Sequence, residues 1–74
     1  MPDTFGSRLR EARLNKSRSR RELAEISGMS ENSISLYERG QVEPSLFAAT
    51  CLADALGVSL DWLAGRSEKG GVQA

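Results

Sequence analysis

The segment from Ser19 to Gly40, SRRELAEISGMSENSISLYERG, restricts the fold more than any other part of the chain. It holds two short helical signatures separated by a turn of three or four residues that carries Gly28. Ser19 and Glu22 match a capping box that starts the first helix, and Ser27 and Gly28 mark its end. Ser30 caps the second, which runs to Arg39, with Gly40 as the stop signal. Leu23, Ala24, Ile34 and Leu36 supply most of the apolar side chains, with Tyr37 beside them. A helix pair of this length with so short a turn fits a DNA major groove, the residues after Ser30 facing base edges.

Flanking patterns predict three more helices. The first spans about residues 4–16: Thr4 caps it, Phe5, Leu9 and Ala12 recur at helical spacing, and the opposite side is basic. Pro44 and Ser45 open a fourth, with Leu46, Ala49, Leu52, Ala53 and Leu56 as its apolar stripe and Gly57 as its stop. Ser59 caps a short fifth helix carrying Leu60, Trp62 and Leu63 and ending at Gly65. Residues 66–74, RSEKGGVQA, are polar and glycine-bearing and are expected to form a flexible tail. There is no strand signal and no internal repeat. The expectation is an all-α fold, five helices on one core, with the domain over 1–65 and the tail over 66–74.

Size and charge narrow the function. At 74 residues the chain is expected to be one small domain, without room for a separate sensor or catalytic unit. A composition 39% hydrophobic and 27% charged is ordinary for a soluble protein. No apolar run approaches membrane-spanning length, no secretory pattern opens the chain, and one cysteine cannot form an intrachain disulfide. A reducing cytoplasm is therefore the expected setting. Net charge is zero but polarised. Arg8, Arg10, Arg13, Lys16, Arg18, Arg20 and Arg21 face a single acid, Glu11, over residues 8–21, whereas residues 41–74 are net acidic. Such a chain presents one basic face to phosphates, although a solvated helix face has the same pattern.

Enzymatic chemistry finds little support. With no histidine, a histidine base or ligand is excluded, and Cys51 alone neither builds a thiolate metal site nor has an obvious activator. Neither a phosphate-loop motif nor a G-x-G-x-x-G fingerprint is present, so no cofactor is expected.

RLREAR at 8–13, RELAEISGMS at 21–30, ISLYERG at 34–40, PSL at 44–46 and LADALGVSLDWL at 52–63 follow one another in an order and spacing that resemble the Cro-type helix-turn-helix domains of phage repressors and their bacterial relatives, the XRE family. The resemblance covers about Phe5 to Gly65. It implies a compact lambda-repressor-like domain whose third helix reads the major groove of double-stranded DNA, usually as a two-fold homodimer on a palindromic operator.

By the family's pattern, Glu31, Asn32, Ser33, Ser35 and Leu36 face the groove. Asn32 is the strongest candidate, because its amide pairs with adenine; Glu31 accepts from a cytosine amino group, and Leu36 meets a thymine methyl. Glu31 also serves the helix dipole without any ligand. The resemblance places a phosphate-bonding glutamine where this chain has Arg20, and arginine does the same with full charge. Arg39 is a second phosphate candidate, although a cation at a helix C-terminus is favourable in itself. Arg18, Arg21, Ser30 and Gln41 are further ones. Arg13 and Glu38 correspond to a structural ion pair in resembling domains, and Tyr37 is expected to pack.

The chain also departs from the pattern. Arg18 replaces an apolar residue that staples the second helix, a contact Leu14 is expected to supply instead. Phe47 and Cys51 stand where the family commonly has polar residues. Four apart on one helix, with Ala55 continuing the face, they suggest a partner surface. With Leu60 and Trp62 they form a candidate dimer interface; Phe47 and Trp62 closing the small core is the other reading. The leading expectation is a DNA-binding transcriptional regulator, a homodimeric repressor. The alternative is a protein-interaction module, such as an antitoxin or phage antagonist, whose main partner is a protein. A fragment of a longer regulator is a third.

Overall fold

Hydroxyl side chains begin every helix among the described residues. The computed structural model describes residues 4–66, which form α1 (Phe5–Asn15), α2 (Arg20–Ser27), α3 (Glu31–Glu38), α4 (Leu46–Leu56) and α5 (Leu60–Leu63). Thr4, Ser19, Ser30, Ser45 and Ser59 each accept a hydrogen bond from the backbone N–H three residues on. Each bond satisfies a donor that the first helical turn leaves free. At Ser19 the bond is reciprocated: Glu22 accepts from the Ser19 N–H at 2.8 Å. Thr4 and Ser7 make a second reciprocal box, with a serine in place of the usual Glu or Gln. The turn from α2 to α3 is Gly28, Met29 and Ser30, and Gly28 sits at φ 79°, a left-handed conformation that costs glycine nothing.

The helices meet through one side chain or more apiece. Leu9, Leu23, Ile34, Leu52, Leu56 and Leu63 are fully buried, with Ala12, Ala53 and Val58 completing the cluster. α1 packs on α3, α4 and α5, while α2 packs on α3 and α4, so the helix pair at 20–38 is clamped from both sides. The flexible tail expected over 66–74 lies, beyond Arg66, outside the described residues.

Three expectations are corrected. Leu46 does not join the α4 stripe: it is 74% exposed, and the buried side is Ala48, Ala49, Leu52, Ala53 and Leu56. Leu46 stands in the first turn, where α4 borders an open groove rather than another helix. Leu14 does not staple α2; it is 48% exposed. Arg8, counted among the cations of the basic side of α1, is buried, as is Arg13, which the resemblance assigns to an ion pair. Both occupy the helical spacing of the apolar face, Phe5, Arg8, Leu9, Ala12 and Arg13, and both find partners there. Arg8 Nη1 donates to the Trp62 carbonyl at 2.8 Å, with the guanidinium 5.0 Å from the centre of the indole ring.

Candidate nucleic-acid interface

α3 is held by its inner side and free on its outer side. Ile34 is fully buried, and Tyr37 leans on the core. At about 100° per residue, Asn32 and Leu36 fall nearly opposite Ile34. Glu31 and Asn32 are exposed; Ser33, Ser35 and Leu36 are half-buried. The helix thus presents a short polar edge to solvent from its first two turns. Ser33 is engaged within the cap: its N–H and its Oγ both bond the Ser30 hydroxyl, at 3.0 and 2.9 Å. That leaves Glu31, Asn32, Ser35 and Leu36 as the outward groups of the candidate reading set.

The far end of α3 is fastened by Glu38, whose side chain is only 1% exposed. Arg13 donates to both carboxylate oxygens, Nε at 2.7 Å and Nη2 at 3.2 Å. Arg13 Nη1 also donates to the Arg18 carbonyl at 2.9 Å, so one guanidinium joins α1, the α1–α2 connection and α3. Arg20 brings a second cation to the same carboxylate, Nε to Oε1 at 3.0 Å. A buried carboxylate is tolerable only with such satisfaction of its lone pairs. The Arg20 link gives no obvious signal in the sequence, because the family pattern has a glutamine there.

The remaining candidate cations differ in freedom. Arg21 is exposed and lies 3.9 Å from Glu25 one turn along, an ion pair of little energetic weight. Arg39 is exposed at the α3 C-cap, with Gln41 exposed beyond it. Arg18 is half-buried, and its Nε is buried with no hydrogen-bond partner among the described residues. An unsatisfied buried donor costs about 1–3 kcal/mol. Arg18→Leu is therefore expected to raise stability by about 1 kcal/mol, a gain of roughly 4–8 °C in Tm for a domain of this size. A thermal melt showing no gain would mean that the Arg18 stem already contributes as much by packing.

The proposed partner-facing residues are divided. Trp62 is half-buried, packed on the core and covered by Arg8. Phe47 is 72% exposed and so does not close the core; Cys51 follows one turn later, half-buried. Leu60 and Leu46 line an open groove with Phe5, Val42 and Ala49. Sequence reasoning passed over Gly6. A Cβ built there would overlap the Tyr37 carbonyl oxygen and lie 2.7 Å from that of Glu38, so α1 and α3 touch backbone to backbone.

A helix-turn-helix family model matches residues 9–63. The chain is 39% identical over 59 residues to the SPbeta prophage-derived uncharacterized HTH-type transcriptional regulator YonR of Bacillus subtilis (strain 168), a match covering 80% of this chain and 55% of that protein. The chain thus spans about half the length of that curated relative. The fold is similar to that of the P22 c2 repressor in complex with synthetic operator 9T, with a TM-score of 0.83 and 29% identity, over 89% of this chain and all of that one. It is also similar to the restriction-modification controller protein C.AhdI of Aeromonas hydrophila, with a TM-score of 0.77 and 41% identity, over 80% of this chain and 89% of that one.

Proposed function

The chain belongs to the XRE-type helix-turn-helix family of DNA-binding transcriptional regulators, and from that premise we propose that it represses transcription by seating α3 in the major groove of a palindromic operator as a homodimer. The observation that carries the DNA reading is the outward edge of α3, Glu31, Asn32, Ser35 and Leu36, presented by a helix anchored at Ile34 and Glu38. Base edges offer hydrogen-bonding groups and methyls to such a mixed surface, whereas Arg21, Arg39 and Gln41 outside it suit phosphates. Arg18 and Ser30 are poorer phosphate donors than their types suggest, since much of each is engaged or buried.

The homodimer is supported by the apolar side chains at 72% and 74% exposure on α4, Phe47 and Leu46, the latter lining the groove with Leu60. Two copies related by a two-fold axis would place their α3 helices about 34 Å apart, one turn of DNA. A cytoplasmic location follows from that function, and no described helix is long and apolar enough to cross a membrane.

Selection of bound sites from a random DNA pool tests the reading and returns an operator with its symmetry. A single unrepeated half-site bound by one protomer would remove the dimer. On the selected site, Asn32→Ala is expected to weaken binding about 10- to 100-fold at fixed salt, since a bidentate base contact discriminates by about 1–3 kcal/mol. Binding to random DNA should be unchanged. Equal losses on both DNAs would remove Asn32 from the reading set.

A further inference from the structure

We propose that Arg20 reads a guanine in the major groove, with Glu31 reading the cytosine of the same pair, so that part of the specificity comes from α2. This rests on the DNA-binding function above. The family pattern puts a phosphate contact at this position; the geometry gives this chain's arginine a different use.

Three observations support it. Arg20 Nε is committed to Glu38 Oε1 at 3.0 Å, and Arg13 holds the same carboxylate with two bonds of its own. The guanidinium is thus fixed from behind by an almost fully buried anchor, while the side chain stays 39% exposed. With Nε occupied, the two Nη groups form the free edge, and that edge matches guanine O6 and N7 end-on. Arg20 also borders a shallow depression whose other walls are Glu31, Asn32 and Ser35, three of the four outward groups of α3. Arg20 therefore belongs to the reading surface and not to its flank.

The charge of that depression selects the ligand. A phosphate entering it would meet the Glu31 carboxylate and be repelled. A G·C pair carries no net charge and offers acceptors on guanine and an amino donor on cytosine, matching Arg20 and Glu31 respectively. The anchoring also removes rotamer freedom before binding, which a lysine cannot reproduce because it lacks the planar fork.

The test is selection from a random DNA pool with the full chain, run on wild type, Arg20→Lys and Arg20→Gln. Arg20 is partly exposed, so both variants are expected to fold, and circular dichroism checks this. Wild type should enrich one G·C position per half-site that Arg20→Lys loses, with preference there falling about tenfold or more while the other positions persist. Arg20→Lys keeps the charge, so the salt dependence of binding should stay within error of wild type. The proposal is overturned if Arg20→Lys returns the wild-type preferences. It is equally overturned if Arg20→Gln weakens binding to all sequences alike and lowers the slope of log affinity against log salt by about one, the signature of a phosphate contact. Wild type that enriches no sequence would instead remove the DNA-binding function itself.

Discussion

Glu38→Ala is expected to leave the chain largely unfolded at 37 °C. The substitution takes the shared acceptor from two arginines at once. Arg13 is 7% exposed and cannot turn to water without unpacking α1. Breaking a buried pair from one side costs about 3–5 kcal/mol. A single core in a domain of this size rarely supplies more than about 3–5 kcal/mol. The loss is therefore comparable with the whole margin. Urea or thermal denaturation followed by circular dichroism measures it, and a loss below about 1 kcal/mol would show the pair to be no stronger than a surface one. The double variant Arg13→Met, Glu38→Leu separates the causes. It removes both charges of the buried pair, while Arg20, partly exposed, regains water. It should recover much of the stability lost by Glu38→Ala alone.

The second large effect is expected at Gly6. A glycine inside α1 is costly to the helix, by about 1 kcal/mol relative to alanine, so Gly6→Ala on helix propensity alone would stabilise. Contact reverses the sign. The new Cβ would collide with the carbonyl oxygens of Tyr37 and Glu38, and backbone has no rotamer by which to withdraw. The start of α1 must move off the last turn of α3. Overpacking of this kind costs about 1–3 kcal/mol, and rigid partners put Gly6→Ala at the upper end, a fall of about 10–20 °C in Tm. Gly28→Ala is the comparison: nothing lies within 4 Å of its Cβ, so only the left-handed backbone penalty of about 1–2 kcal/mol applies. If Gly28→Ala proves the more harmful, the backbone contact between α1 and α3 is looser than its geometry implies.

Helix positions were legible because their signals are local. Thr4, Ser19, Ser30, Ser45 and Ser59 cap where a hydroxyl followed by a helical run predicts, and Gly28 and Gly57 end helices in the left-handed conformation. Side-chain destinations were less legible. Arg8 falls on the buried spacing of α1, but its charge alone predicts an outward position. The decisive partner, Trp62, lies 54 residues away. The apolarity of Leu46 predicts burial, yet among the described residues it borders an open groove. Gly6 shows the limit most directly, since its requirement comes from the end of α3 and leaves no trace in its neighbours. At the interface, the candidate α3 edge came from the family resemblance, while the Arg20–Glu38 bond needed the tertiary fold.

The inward placement of arginine changes how the protein competes for DNA. Of the cations at 8–21, Arg8 and Arg13 are spent inside, and Arg20 shares the charge of Glu38. The attraction felt by any stretch of duplex is correspondingly small, because sequence-independent affinity scales with the phosphates neutralised. Under the proposed function, bulk DNA would hold the protein less tightly than the count of its cations suggests. For the proposed dimer, occupancy of an operator would then depend chiefly on the match of its bases and on the pairing of two protomers.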